Sequence, residues 1–368
     1  MREILDDIDR WRAAGESIAL GRVVGTDGSG PREPGAAMAV TAGSEVAGSV
    51  SGGCVEGAVV AEALELLGGG EARLCTFGYS DEQAYAVGLT CGGTVRVFLQ
   101  PLPDVYDVIA DALRSDRPVA MATVVEGPPE RLGGTLVVLG DGDGDVHGTL
   151  GDPDLDRVVA RDARGALESG ISGNRHYGAC GEARRREVEV FVESFAPAPR
   201  MVILGAVDFT AALARVAKIL GYKVVVVDAR PVFATAMRFP MADEVVVDWP
   251  DRVLTALDPP LGPRDAVCVL THDHKFDVPA ILAALPSKVG YLGAMGSRRT
   301  RDERERLLRE AGVTDVDLAR VMAPIGLDLG ARTPEETAIS ICAEIIALRT
   351  GRPAPSLRDA SGAIHGGD

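Results

Sequence analysis

The residues best placed to do chemistry sit beside glycines. In "GSVSGGCVE", Gly48 to Glu56, Cys54 follows Ser51, Gly52 and Gly53 where a glycine loop meets a helical pattern. A helix start leaves backbone N–H groups unpaired and carries partial positive charge, which favours a thiolate or a bound anion. The other common fate of an unpaired cysteine is that of a small buried hydrophobe. Cys91 has a similar setting in "GLTCGG", and the two thiols could face each other across one unit. Zinc is not indicated, because no CxxC pair occurs and the histidines lie elsewhere.

The second half of the chain offers a different chemistry. "RMVILGA" reads as a buried strand ending in Gly205, and "KVVVVDAR" as a second ending in Asp228. That spacing suits a dinucleotide fold, in which an acidic residue takes a ribose hydroxyl. A full G-x-G-x-x-G turn would need glycines at 207 and 210, where Val207 and Thr210 stand. Val207 blocks the approach of a pyrophosphate, so ordinary NAD(P) binding is not expected. "GAMGSRRT" follows a later strand and opens a helix, making Ser297, Arg298 and Arg299 the best anion grip. "THDHKFD" reads as a solvated loop with capping aspartates; the competing reading is a metal pair, His272 and His274, pointing one way from an extended segment.

Composition narrows the class of partner. The 368 residues are 46% hydrophobic and carry a formal net charge of −16. That charge argues against nucleic acid, and an anionic ligand would need a local basic or N–H-rich site. No apolar run reaches membrane-span length, and the N-terminus lacks a signal-peptide pattern, so a cytoplasmic protein with reduced thiols is expected.

The elements that must position these residues fall into two regions. Residues 1–195 read as an α+β domain of two related copies, 17–101 and 118–194, each built of two strands, a helix and a closing strand. Copy one has Ser51-Gly52-Gly53-Cys54 where copy two has Gly151-Asp152-Pro153-Asp154, a plain helix cap. The unit therefore folds without the cysteine, which points to another use for it in copy one. Residues 200–350 alternate strands and helices and read as a doubly wound, Rossmann-like parallel sheet. In its last helix Thr333 is the N-cap and Pro334 the first position. Residues from 353 to 368 read as a disordered tail.

Taken in order, "GSVSGGCVE", "GLTCGG", "VVDARPVFAT", "RFPMADEVVV", "CVLTHDHKFDVP", "GAMGSRRTRDER" and "PIGLDLGARTPEETAISICAEI" make the chain resemble the xanthine dehydrogenase accessory family, XdhC/CoxI. The resemblance implies a molybdenum cofactor chaperone. Such a protein protects the cofactor, a pterin dithiolene with a phosphate and in some forms a nucleotide, while a cysteine desulfurase supports its sulfuration. It then delivers the cofactor to the apo-subunit of a molybdenum hydroxylase, of xanthine dehydrogenase or carbon monoxide dehydrogenase type. The resemblance places Cys54 beside the molybdenum, either as a ligand or as a persulfide relay. It implies no enzyme activity of its own beyond that relay. Val207 and Asp208 depart from the fuller glycine turn and histidine of many relatives. A homodimer is expected for this size and class. The alternative is an NAD(P)-dependent oxidoreductase built on the second domain.

Overall fold

In a computed structural model that describes residues 1–28, 32–78, 93–140 and 145–360, the alternating apolar runs become strands. Two units divide the chain, Met1–Pro197 and Ala198–Asp368. In the first, β1 (Ile18–Gly28), β2 (Ala37–Thr41) and β3 (Val46–Gly48) precede the helix Glu56–Leu67, and β4 (Arg73–Gly78) and β5 (Gly93–Pro101) follow it. The second copy runs β6 (Val119–Glu126), β7 (Thr135–Leu139), β8 (Val146–Thr149), the helix Pro153–Ser169, β9 (Gly173–Tyr177) and β10 (Val188–Phe195).

Both copies form five-stranded sheets of one topology, β3-β2-β1-β5-β4 and β8-β7-β6-β10-β9. All their pairings are antiparallel. Each copy thus has three strands before its helix and two after, one more on each side than the sequence patterning implies. The additional strands have little apolar signal: β3 is three residues long, and β4 is half-exposed along its length. A leading helix also belongs to each copy, Leu5–Ala13 in one and Tyr106–Arg114 in the other.

Each long helix covers one face of its own sheet. Val59, Ala63 and Leu66 pack on Val23, Val40 and Val97 in copy one; Leu155, Val159 and Ala163 pack on Ala122, Val138 and Val190 in copy two. Burying each such Val or Leu side chain stabilises by roughly 1.5–3 kcal/mol, enough to fix which face turns inward. Between the copies lie Val24, Phe98, Val125 and Phe191. There Arg22, fully buried, donates to Glu193 at 2.7 Å and to Thr123 Oγ1 at 2.8 Å.

The second unit is a six-stranded parallel sheet of order β13-β12-β11-β14-β15-β16. Its strands are β11 (Arg200–Leu204), β12 (Lys223–Val227), β13 (Glu244–Val246), β14 (Ala266–Val269), β15 (Tyr291–Ala294) and β16 (Val321–Met322). The order reverses between β11 and β14, and the carboxyl ends there form the crevice where such folds take ligands. Apolar layers cover both faces: Met201, Ile203 and Val224 meet the helix Pro334–Thr350 on one side, and Val202, Val267 and Leu292 meet Ile281 and Leu308 on the other. Thr333 caps the last helix and shares a capping box with Glu336. Residues 353–360 are exposed, and the rest of the expected tail, 361–368, lies outside the described residues. Among the described residues no helix is long and apolar enough to cross a membrane.

Candidate functional site

The Ser51–Cys54 loop takes its order from a residue that the motif reading did not single out. One oxygen of Glu56 accepts from Ser49 Oγ at 2.6 Å, from the Ser51 N–H at 2.9 Å and from the Val50 N–H at 3.3 Å. The other accepts from Ser51 Oγ at 2.5 Å and the Gly53 N–H at 2.9 Å. Partial burial pulls the Glu56 carboxyl upward, but the hydrogen bonds from Ser49 and Ser51 overcome it and hold the pKa at about 2. Ser51 Oγ in turn accepts from the N–H groups of Cys54 (3.0 Å) and Val55 (2.9 Å).

This geometry corrects one expectation. The helix begins at Glu56, two residues past Cys54, and the loop's N–H groups are spent on Glu56, Ser51 and Ser49. What the loop presents is a thiol on a hydrogen-bonded support, not an N–H anion hole. Gly52 and Gly53 have φ of +76° and +119°, values that side chains disfavour, and a Cβ on either would meet open space. The apex is therefore bare and Cys54 is exposed beside it. Cys91, and with it the facing of the two thiols, lies outside the described residues.

Copy two keeps the frame and drops the thiol. Asp156 accepts from Thr149 Oγ1 and the Leu150 N–H, both at 2.7 Å, as Glu56 does from Ser49 and Val50. Asp152 caps the helix by accepting from the N–H groups of Asp154 and Leu155. Near it is the exposed Cys180, whose thiol the Asp152 carboxylate, first among its neighbours, pushes above its ordinary pKa. The sequence signal for Glu56 was this pair, Ser49/Glu56 and Thr149/Asp156, at one spacing in both copies.

In the second unit the predicted residues gather at the carboxyl edge of the sheet. Gly205 ends β11 with φ +112°, and a Cβ there would stand 2.7 Å from Thr271 Cγ2, so only glycine lets the strand end pass. Asp228 is buried. It accepts from the Ala206 N–H (2.7 Å) and from Arg230 through its N–H, Nε and Nη2 (2.9, 2.9 and 2.8 Å). Burial opposes its ionisation, but the Arg230 and Ala206 bonds win and lower its pKa. Both its oxygens thus already hold donors. Arg230 lies over Phe233 at 4.5 Å, and Arg238 donates to the Ala206 carbonyl at 3.3 Å, so two further cations attend this turn.

Ser297 caps the helix Arg298–Glu310 by accepting from the Thr300 N–H at 3.2 Å, and Arg298 and Arg299 are exposed in its first turn. Beneath that turn is a buried polar cluster that the motifs did not reveal. Asp277 accepts from Thr271 Oγ1 and, at 2.9 Å, from Arg304 Nη2, which also donates to the Met295 carbonyl at 2.6 Å. Burial, only partly offset by Thr271 and Arg304, raises the Asp277 carboxyl. The helix His274–Ala284 starts at His274 and is capped by Asp273, so His272 and His274 do not share the extended segment supposed for a metal pair. Among the described residues no group of three or more His, Cys, Asp or Glu could hold a metal ion.

Comparison with known proteins agrees with this layout. Residues 201–345 match the family signature described as XdhC Rossmann domain, and residues 11–78 and 112–178 match that of the XdhC and CoxI family. A Bacillus subtilis protein, described as a probable subunit of xanthine dehydrogenase, is 26% identical over 359 residues, covering 91% of this chain and 94% of its own. The molybdenum cofactor insertion chaperone PaoD of Escherichia coli is 26% identical over 338 residues, covering 91% and 85%. A crystal structure described as a xanthine dehydrogenase from Bacillus halodurans shares the fold, with a TM-score of 0.63 at 24% identity over 96% of this chain and 97% of that one. The signatures fall on both copies of the first unit and on the parallel sheet of the second, and this chain belongs to the XdhC and CoxI family.

Proposed function

We propose that this chain binds the molybdenum cofactor, guards it while its terminal sulfur is installed, and hands it to a molybdenum hydroxylase. The clients would be of xanthine dehydrogenase or carbon monoxide dehydrogenase type, a cysteine desulfurase would be the sulfur source, and the working form would be a homodimer. Membership of the family and the likeness to a named cofactor insertion chaperone support the reading. The observation that carries it is the Cys54 loop: an accessible thiol beside two bare glycines, locked by Glu56, in one copy of a duplicated frame.

The residues fit such a ligand on chemical grounds. When bound, the cofactor brings a molybdenum centre held by dithiolene sulfur and an anionic phosphate. Cys54 supplies the soft donor, and Gly52 and Gly53 let a bulky group approach the backbone. The second unit by itself offers a separate anion contact, the helix start at Ser297 with exposed Arg298 and Arg299, suited to a phosphate group. Gly205 and Asp228 shape the turn at the end of β11, with Asp228 positioning Arg230 rather than presenting a free carboxylate.

The test is molybdenum and pterin content after the purified chain is mixed with cofactor released from a molybdoenzyme. Wild type should retain both, and Cys54→Ala should keep its fold yet lose most of the retention. Equal retention by the mutant would remove Cys54 from the site. No retention by wild type would leave the NAD(P)-dependent reading, which the parallel sheet alone favours, as the one to pursue.

A further inference from the structure

The buried cluster under the Ser297 turn holds more hydrogen-bonding capacity than the protein uses. Arg304 is 2% exposed, yet only Nη2 has acceptors, Asp277 and the Met295 carbonyl; Nε and Nη1 have none among the described residues. A guanidinium carries five N–H donors in a fixed fork, so the Nε and Nη1 hydrogens are left over. Buried donors without acceptors are costly, and sites that keep them normally meet an acceptor that the protein does not supply.

The surroundings indicate what that acceptor is. A Cβ on Gly296 would lie 3.4 Å from Arg304 Nη2 and 3.0 Å from Thr300 Cβ, so the paired Nη2 end of the guanidinium lies against the glycine of the turn. That turn opens a helix of 13 residues whose N-cap, Ser297, accepts from the Thr300 N–H and shares a hydrogen bond with Thr300 Oγ1 at 3.0 Å. The N–H groups of Arg298 and Arg299 have no acceptor within the helix. Asp277 and Thr271 fix the fork from below, and the Thr271 methyl abuts Gly205 at the strand reversal. His274 Nδ1, another polar atom without a partner, belongs to the neighbouring helix, where His274 acts electrostatically on both Asp277 and Glu303. The acidic groups around His274 are therefore Asp277, which Arg304 pairs, Glu303, which Arg306 pairs, and the helix cap Asp273, which Lys275 pairs.

We propose that Arg304 and the Ser297 turn form a seat for a tetrahedral oxyanion of the phosphate monoester class, with Arg304 as its anchor and Asp277 as the group that aims it. The inference rests on reading the Ser297 turn as an anion grip, and replaces exposed Arg298 and Arg299 as the main contacts with a buried residue.

The test is a titration of the full chain with inorganic phosphate and, separately, phenyl phosphate, followed by calorimetry and ³¹P NMR, with chloride at matched ionic strength as control. Wild type should show saturable binding with Kd in the millimolar range or below. Arg304→Lys keeps the charge opposite Asp277 but removes the fork, and should weaken binding at least tenfold. Arg298→Ala and Arg299→Ala should each weaken it by no more than a few fold. Asp277→Asn removes a negative charge while keeping a hydrogen bond to Arg304, and should tighten binding several-fold, a gain that a merely structural residue would not give. Phenyl phosphate binding as well as or better than phosphate marks the seat for a phosphate carried on a larger ligand; phosphate alone marks it for the free ion. The inference is overturned if wild type shows no saturation beyond the chloride control, or if Arg304→Lys binds like wild type. It is equally overturned if Asp277→Asn binds no more tightly. Molybdenum retention that survives such a result would leave the cofactor reading intact, and phosphate binding without retention would do the reverse.

Discussion

Glu56 offers the sharpest test of how the Cys54 loop is built. Glu56→Gln leaves one oxygen able to accept and turns an NH2 group toward donors that met a carboxylate. Holding the carboxyl at about 2 instead of 4.5 would be worth about 3 kcal/mol in a sealed site. The side chain is partly open to solvent, and screening reduces this to roughly 1–2 kcal/mol. For a unit of this size, that is a fall of about 3–6 °C in its thermal midpoint at pH 7. The pH dependence has a fixed sign. The carboxyl is depressed on folding, so its contribution is complete above its unfolded value near 4.5 and is lost as pH falls toward about 2.

The gap in midpoint between wild type and Glu56→Gln should therefore be constant from pH 7 down to about 5 and close by about pH 2. Calorimetry resolving the two units' transitions would measure it, because a two-unit chain cannot be assumed to unfold in one step. Alkylation of Cys54, mapped by mass spectrometry, should speed up in the variant, since Ser51 Oγ both donates to Glu56 and accepts from the Cys54 N–H. Asp156→Asn, the same change in copy two, should cost stability and leave Cys54 alkylation alone. A gap that is absent at pH 7, or unchanged at pH 2, would refute the view that this carboxylate is the strut of the loop.

Other outcomes follow from the same structure. Glu193→Gln removes the charge that balances fully buried Arg22, leaving an uncompensated buried cation, and should destabilise the first unit by about 3–5 kcal/mol, read by urea unfolding. A cost under about 1 kcal/mol would show that Thr123 and the surrounding strands suffice for the guanidinium. Titration with NAD(H) and NADP(H), followed by calorimetry, should show no tight binding, because Val207 closes the turn and both oxygens of Asp228 hold donors. Micromolar affinity for either nucleotide would reverse that conclusion.

The parallel sheet was legible because its strands are unbroken apolar runs such as "VVVV" at 224–227, separated by helical spacing and turn glycines. The duplication was legible because β1, β2 and the long helices recur with their turns, whereas β3 and β4 are too short or too exposed to stand out. Thr333 and Asp152 read correctly as caps because the signal for a cap is local. Arg304 was hidden for the opposite reason: it lies in a charged run that reads as a solvated helix face, and its role depends on Asp277, which folding brings near. Glu56 draws on local donors from Ser49 to Gly53, and its signal stands out only when the two copies are compared. A trace of Arg304 was available: Thr300, Arg304 and Leu308 recur every four residues in an otherwise charged helix, and Arg304 and Leu308 are its buried residues.

The two copies of the first unit explain why a cysteine can stand where it does. In copy two, a carboxylate at 152 caps the helix, which also places negative charge near the Cys180 thiol. In copy one, the neutral hydroxyl of Ser51 takes over the capping of Cys54 and Val55, and glycines replace Asp152 and Pro153. The negative charge in this loop sits instead on Glu56, where Ser49, Ser51 and Gly53 surround it with donors. The frame is kept, the side chains at the apex are gone, and the capping carboxylate no longer stands next to the thiol. A frame kept only to close a helix would need none of these changes, and together they leave a thiol accessible without loosening the loop that carries it.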